Sequence, residues 1–293
     1  MNLKIDNFGN KIVQNLSKFL PVILLAAVMV VVLISLRWMA PGVIYPVPPL
    51  NVGEIAPEYN EVRIPVPVIG KVTGWLHKNA VASDSTPVIL YLHGNAENLE
   101  TLKRSQQLAA FQQIKAHVLA IDFPGYGTSD GQSSESALVS AGKAAFEWLA
   151  TEFPRNPKVI MGWSLGAGVA LQVAAEEQPD GLIALSPWSS LPEAAADHYP
   201  RWVVGLVVDE KYNSIEAARS VKCPVLVIHG EQDELIPVDH SQRIAASLKG
   251  TVQYMRVFDA GHNDLFAQEE VWQQIHAFIN TFRNSDFGKQ PQE

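Results

Sequence analysis

The stretch Val159-Ile160-Met161-Gly162-Trp163-Ser164-Leu165-Gly166 joins a short apolar run to a segment with helical spacing that extends to Glu177. A serine in the spacing G-x-S-x-G between a strand and a helix is the pattern of a nucleophile elbow. The turn strains the serine backbone and projects its hydroxyl above the sheet, while the glycines let strand and helix approach closely. The spacing alone also occurs in Gly-rich turns without chemistry, but its place between strand and helix favours the nucleophile.

Strand and helix patterns alternate on both sides of this stretch. Predicted strands cover residues 62–68, 71–77, 88–92, 117–121, 159–161, 182–185, 225–228 and 251–258, and predicted helices cover 99–114, 135–151, 164–177, 239–248 and 264–282. This alternation indicates an α/β fold with a mostly parallel sheet covered by helices on both faces. Ligands of such sheets bind beyond the carboxyl ends of the strands, so candidate residues are expected there.

Two such strand ends carry partners for the serine. His262 lies in the loop between the last strand and the last helix, where the chain order Ser…Asp…His places the general base. Asp233 follows the penultimate strand, 69 residues after Ser164 and 29 before His262. A carboxylate there can accept from Nδ1–H of the histidine and fix the tautomer whose Nε2 takes the serine proton. Glu231 and Glu234 are rivals for the acid.

Asp264 is a third rival for the acid, although it lies too close to His262 in the chain to be preferred. His93-Gly94-Asn95 ends an earlier strand, and an oxyanion hole in such a fold takes one amide from this loop and one from the residue after the nucleophile. The expected donors are therefore the backbone amides of Asn95 and Leu165. His93 itself is expected to be structural, since the role needs the amides and not the imidazole.

Composition excludes several other classes. The chain has 293 residues, one cysteine, 47% apolar residues, 18% charged residues and a formal net charge of −8. A single cysteine excludes a disulfide framework and a multi-cysteine metal site. The acidic balance argues against nucleic-acid binding, and the apolar content is not that of a disordered chain. The triad chemistry implies no metal or organic cofactor.

The N-terminal segment is a candidate membrane anchor. No charge occurs between Lys18 and Arg37, and the 18 residues between them are apolar apart from Pro21 and Ser35. As a helix this run is about 27 Å long, close to a hydrocarbon core of about 30 Å. A cleaved signal peptide is the alternative. The apolar run, however, exceeds the usual length of the apolar region of a signal peptide, and Trp38 occupies a position near Ala40 where cleavage requires a small residue. A transmembrane anchor is predicted over 19–40.

Flanking charges predict the orientation of this anchor. Residues 1–40 carry a net charge of +3 and the remainder a net charge of −11. Lys4, Lys11 and Lys18 precede the apolar run, and after Arg37 no basic residue occurs until Arg63. The positive-inside rule then places the N-terminus in the cytoplasm and the main domain across the membrane. The expected division is a cytoplasmic tail over 1–18, a linker over 41–60, a catalytic domain over 61–283 and a tail over 284–293.

The order of motifs carries a family resemblance. The supporting strings are His93-Gly94-Asn95-Ala96-Glu97-Asn98, Asp122-Phe123-Pro124-Gly125-Tyr126-Gly127-Thr128-Ser129, Gly162-Trp163-Ser164-Leu165-Gly166, His229-Gly230-Glu231-Gln232-Asp233 and Gly261-His262-Asn263-Asp264. The chain resembles α/β-hydrolases, and within them the membrane-anchored Bem46-like group that includes the abhydrolase-domain proteins. The match runs from about residue 60 to 282. Glu97 departs from the glycine common in relatives, in the loop next to the oxyanion donors.

The resemblance implies a membrane-anchored serine hydrolase acting on esters, thioesters or peptides, without a cofactor. A short lid is expected over about 187–221. Its apolar side chains could form a wall for an acyl chain or a surface that enters the membrane. Ordinary packing of the lid explains them equally well. A small-molecule or lipid-like acyl substrate is therefore expected, with a serine peptidase or a non-catalytic membrane scaffold as the alternatives.

Overall fold

The computed structural model describes residues 3–49 and 54–284, and it contains one eight-stranded sheet in the order β1-β2-β4-β3-β5-β6-β7-β8. The strands are β1 Tyr59–Val66, β2 Gly70–His77, β3 Val88–Leu92, β4 His117–Ile121, β5 Lys158–Trp163, β6 Gly181–Leu185, β7 Val225–Gly230 and β8 Val252–Val257. Strand β2 runs antiparallel to β1 and β4, and every other pair is parallel. The predicted mostly parallel sheet is confirmed.

Helices cover both faces of this sheet. They are α1 Leu3–Ile44, α2 Leu99–Arg104, α3 Gln107–Gln112, α4 Glu135–Glu152, α5 Leu165–Glu177, α6 Leu191–Ala196, α7 Arg201–Val207, α8 Ser214–Ala218, α9 Asp239–Ser247 and α10 Glu269–Asn284, with a 3₁₀ turn at Leu265–Ala267. Helices α4, α5, α8 and α9 pack on one face, and α2, α3 and α10 pack on the other.

Strand β3 shows how the two faces share the sheet. Leu90 and Leu92 belong to the core under α4 and α5, while Ile89 and Tyr91 belong to the core under α3 and α10. All five residues of this strand are buried, as are those of β4, β6 and β7. A strand buried on both faces has no position for a charged side chain, and this accounts for the low charged fraction of the chain.

Two predicted helices are shorter or more broken than expected. The helix predicted over 99–114 divides into α2 and α3, because Gln106 adopts a left-handed conformation with φ of 64° between them. The helix predicted over 264–282 begins at Glu269, after the 3₁₀ turn. Its predicted core face is confirmed, since Val271, Ile275, Phe278 and Phe282 are all buried.

Helix α1 is longer than the predicted anchor. It continues through residues 41–44, which were predicted to open the linker, and β1 then begins at Tyr59. Because α1 begins at Leu3, Pro21 lies inside the helix and not near its start. The apolar part, Phe19–Ile44, is long and apolar enough to cross a membrane. Residues 50–53 of the predicted linker and 285–293 of the predicted tail lie outside the described residues.

The segment predicted as a lid contains three short helices, α6, α7 and α8. Its apolar side chains divide into two groups. Trp188 and Val204 are buried, whereas Tyr199, Trp202 and Leu206 are exposed. Ordinary packing therefore accounts for only part of the apolar character of this segment.

Core packing of α10 can be tested by truncation. The Phe278 side chain is 2% exposed and packs in the core between α10 and the sheet. Phe278→Ala is expected to lower the free energy of unfolding by about 3–5 kcal/mol because it removes buried apolar surface and leaves a cavity. Asn280→Ala, at an exposed position of the same helix, is the control and should change it by no more than about 0.5 kcal/mol. Denaturant unfolding in detergent micelles measures both, and equal losses would contradict the packing.

Candidate active site

Ser164 occupies the sharp turn between β5 and α5, with φ of 53° and ψ of −113°. The two glycines of the motif make this turn possible. A Cβ on Gly162 would lie 2.2 Å from the Gly166 carbonyl oxygen, and a Cβ on Gly166 would lie 2.0 Å from the Leu92 carbonyl oxygen. No side chain fits at either position, so the first turn of α5 can press against the ends of β3 and β5.

His262 reaches the serine from the loop that follows β8. Its Nε2 lies 2.9 Å from Ser164 Oγ, and its ring lies against the Trp163 indole with centroids 5.3 Å apart. His262 is 8% exposed and Ser164 is 3% exposed. The contact with Trp163 limits rotation of the imidazole, which keeps Nε2 directed at the hydroxyl.

Asp233 completes a chain of hydrogen bonds from the loop after β7. Its Oδ2 accepts from His262 Nδ1 at 2.7 Å, and its Oδ1 accepts from the amides of Leu235 and Ile236 at 3.0 and 2.7 Å.

The three rival acids point elsewhere. Glu231 pairs with Arg256 at 3.4 Å, and Asp264 accepts from the Gly261 amide at 2.6 Å. Glu234 is exposed. Of the four carboxylates considered from the sequence, the structure brings Asp233 to the histidine.

Sequence reasoning missed a role for His229. This fully buried histidine ends β7, and its Nε2 lies 3.2 Å from Asp233 Oδ2 and 2.8 Å from the Ile236 carbonyl oxygen. Burial alone would raise the pKa of Asp233, but hydrogen bonds from His229, His262 and the Ile236 amide hold that pKa well below its usual value. Asp233 therefore stays ionised. The available signal was the place of His229 at a strand end, four residues before the acid.

The two expected oxyanion donors lie at the same edge of the sheet. Strands β3 and β5 pair in parallel with Leu92 opposite Gly162, and Asn95 and Leu165 each follow their paired residue by three positions. Leu165 is the first residue of α5, so its amide has no acceptor within the helix and is free to bind an anion.

The Asn95 side chain ties the oxyanion loop to two distant segments. Its Nδ2 donates to the Ile44 carbonyl oxygen at the end of α1, over 2.8 Å. Its Oδ1 accepts from the Tyr126 hydroxyl at 3.0 Å. The end of α1 is thus bonded directly to a residue expected to hold the oxyanion, which sequence reasoning did not foresee.

Glu97 and His93 also shape this loop. The Glu97 carboxylate accepts from the Gly94 amide at 2.8 Å, and burial raises the pKa of Glu97 to about 7. His93 is buried with Nδ1 2.8 Å from the Gly94 carbonyl oxygen, and burial lowers the pKa of His93 to about 4. This contact agrees with the expected structural role of His93. Glu97, which stands where relatives often have glycine, adds a second hydrogen bond within the loop.

A second Ser–His–Asp chain joins the lid to α9. Ser189 Oγ lies 2.7 Å from His240 Nδ1, and His240 Nε2 lies 2.6 Å from Asp197 Oδ2. Ser189 is fully buried, and its hydroxyl donates to Glu193 at 2.5 Å while Arg243 donates to its oxygen. The Ser189 hydroxyl proton is therefore directed to a carboxylate, as suits a structural link between lid and domain.

The Ser164 centre has the arrangement needed for acyl transfer. A hydroxyl is bonded to an imidazole, the imidazole is bonded to an ionised carboxylate, and two amides at the same edge can stabilise negative charge.

Comparisons with known proteins agree with the fold. Residues 83–212 match the family described as serine aminopeptidase, S33. An α/β hydrolase domain-containing protein of Caenorhabditis elegans is 31% identical over 237 residues, which are 78% of this chain and 70% of that protein. A lysophosphatidylserine lipase of Xenopus tropicalis is 32% identical over 217 residues, which are 67% of this chain and 56% of that protein. An esterase structure from Pyrococcus furiosus superimposes with a TM-score of 0.67 and 26% identity, over 81% of this chain and 100% of that one.

The raised pKa of Glu97 predicts how the stability of the protein depends on pH. Because burial raises its pKa from 4.5 to about 7, the folded state binds more protons than the unfolded state between these values, and stability falls as pH rises through them. Glu97→Gln keeps an acceptor for the Gly94 amide without this titration. We expect the variant to gain stability relative to the parent as pH rises from 4.5 to about 7, measured by thermal melts across that range. Glu152→Gln, at an exposed position, is the control; parallel profiles for Glu97→Gln and the parent would contradict the assignment.

Proposed function

The chain belongs to the α/β-hydrolase superfamily and is an ester-hydrolysing serine hydrolase, and we propose that it cleaves carboxylic ester or thioester bonds in lipid-like acyl substrates at a membrane. The observation that carries the proposal is the hydrogen-bonded chain from Ser164 through His262 to Asp233 at the carboxyl edge of the sheet. Its geometry supports assigning these residues as nucleophile, base and orienting acid.

The proposed reaction has two halves. Ser164 Oγ attacks the acyl carbon as its proton passes to His262 Nε2, and the amides of Leu165 and Asn95 hold the oxyanion. Asp233 stabilises the imidazolium, which then gives its proton to the leaving alcohol or thiol. Water, deprotonated by His262, attacks the resulting acyl-enzyme, and the carboxylic acid is released as His262 returns the proton to Ser164 Oγ.

Membrane anchoring supports a lipid-like substrate. Helix α1 carries the candidate span, and Tyr45 just beyond it is buried, with its hydroxyl bonded to Glu210 and to the Tyr212 hydroxyl. These contacts fix the end of the helix on the domain and support an uncleaved anchor. A relative that hydrolyses lysophosphatidylserine, as its name states, also favours an acyl lipid.

A peptidase remains the second candidate because the family matching residues 83–212 is described as a serine aminopeptidase. The lid argues against it, since three helices of five to seven residues form a smaller cover than a gated peptidase needs. A panel of acyl esters, acyl thioesters and peptide amides separates the two. Turnover of peptides alone would replace the ester proposal.

The nucleophile can be tested by labelling and turnover. Ser164→Ala is expected to abolish labelling by a fluorophosphonate probe and to lower kcat by roughly 10³-fold or more, because the acyl-enzyme can no longer form. Assays use full-length protein in detergent micelles with p-nitrophenyl butyrate.

Ser189→Ala is the matched control. It removes the serine of the second Ser–His–Asp chain, so labelling should persist in this variant. Labelling that survives in Ser164→Ala and disappears in Ser189→Ala would show that the nucleophile is misassigned.

From the flanking charges we propose that the catalytic domain lies on the non-cytoplasmic side, whether periplasmic, lumenal or extracellular. A reporter active only outside the cytoplasm is expected to be active when fused to the C-terminus of the full chain. The same fusion with Arg and Lys introduced at residues 46–49 and with Lys4, Lys11 and Lys18 changed to Gln should lose reporter activity. An expressed but silent parent fusion would refute the orientation.

A further inference from the structure

An apolar pocket of 290 Å³ lies between the end of α1 and the lid. The helix contributes Leu36, Met39, Ala40, Val43 and Ile44, and α6, α7 and their neighbours form the opposite wall. Apart from the Tyr199 hydroxyl, every side chain that lines the pocket is hydrocarbon or thioether. Such a surface suits an alkyl chain and offers nothing to a charged or strongly polar ligand.

The pocket begins where the uncharged run of α1 ends, because Leu36 lines it and Arg37 is the next residue. Arg37 ends the uncharged run, pairs with Asp209 and donates to the Leu206 carbonyl oxygen at 3.3 Å. These contacts hold the end of α7 beside Arg37, where the uncharged run of α1 ends. Tyr199 and Trp202 are 61% and 67% exposed on the lid beside this point, and such aromatic side chains are enriched at the interface between membrane and water. The wall formed by the lid is therefore placed to meet the lipid itself.

One residue that lines the pocket is bonded directly to the candidate active site. Ile44 lines the pocket, and its carbonyl oxygen accepts from the Asn95 side chain at 2.8 Å. Since the Asn95 amide is a proposed oxyanion donor, one hydrogen bond separates the wall of the pocket from the proposed oxyanion site. The volume is at the lower end of the roughly 300–1,000 Å³ of ligand pockets, and it suits one chain better than two.

We infer that this pocket binds the acyl chain of a single-chain lipid ester drawn from the bilayer, so that the membrane helix is a wall of the substrate site as well as an anchor. The inference rests on the proposed ester hydrolysis. It adds that the substrate has one acyl chain, that this chain enters from the bilayer, and that α1 and the lid together determine which chain lengths are accepted. A chain leaving the bilayer would pass between α1 and α7 without crossing water.

Pocket-filling variants test the inference. Ala40 is 9% exposed on the α1 wall and Ala195 lies on the lid wall, so Ala40→Leu and Ala195→Leu fill the pocket from opposite sides. Ala27→Leu makes the same change on the same helix, at an exposed position within the candidate span, and is the matched control. Each full-length protein is placed in phosphatidylcholine nanodiscs, and active enzyme is counted by fluorophosphonate labelling of Ser164.

The measured quantity is the ratio of kcat/KM for p-nitrophenyl laurate to kcat/KM for p-nitrophenyl acetate. We expect the ratio to fall by about tenfold or more in both pocket variants, since each methylene excluded from an apolar pocket lowers kcat/KM by roughly tenfold or more. Ala27→Leu should keep the parent ratio. Because the two variants fill the pocket from opposite walls, a folding defect in one of them leaves the other as a valid test.

The outcomes separate the inference from the proposed function. An active parent whose ratio is unchanged by both pocket variants, or lowered equally by Ala27→Leu, overturns the inference and leaves ester hydrolysis standing. A parent that hydrolyses the acetate ester with no gain from the longer chain overturns it as well. A parent that neither labels at Ser164 nor hydrolyses either ester contradicts the proposed function and the inference with it.

Discussion

The close approach of the first turn of α5 to the ends of β3 and β5 is the constraint on which the catalytic centre depends. Gly162 and Gly166 permit it, because a Cβ on either would fall about 2 Å from a backbone oxygen. That approach forces the positive φ at Ser164, projects its hydroxyl and brings the Leu165 amide beside the loop after β3. Every other group of the site is arranged around this turn by loops that leave the same edge of the sheet.

The surroundings of Asp233 show how a buried negative charge is stabilised. Asp233 is 6% exposed, and an unpaired carboxylate there would be strongly disfavoured. Two backbone amides occupy one of its oxygens, and His262 and His229 approach the other. The ionised carboxylate is thereby stabilised in the orientation that serves His262, and the end of β7, which supplies His229, becomes part of the support for the site.

Helix α1, which carries the candidate membrane span, is joined to the same site. Contacts of Arg37, Ile44 and Tyr45 connect its end to α7, to the oxyanion loop and to the segment between α7 and α8. A helix that only tethered a domain would need a linker and no such contacts. Here the end of the helix packs as an element of the domain, which explains why the helix continues past Pro41 through residues predicted as linker.

Local pattern determined much about this protein. The alternation of strands and helices, the elbow at Ser164, the loop of His262 and the apolar run before Arg37 are all properties of neighbouring residues, which periodicity and turn chemistry encode directly. Sequence position favoured Asp233 over Glu231, Glu234 and Asp264, and the tertiary structure bonds it to His262. Only the tertiary structure revealed His229 behind Asp233, the break in the helix at Gln106 and the bond between Ile44 and Asn95. The contacts of Asp233 with His262 and of Ile44 with Asn95 join segments far apart in the chain, and their geometry is set by the packing of the whole sheet and its helices. The approach of His229 to Asp233 and the turn at Gln106 are local, but neither conformation follows from residue spacing alone.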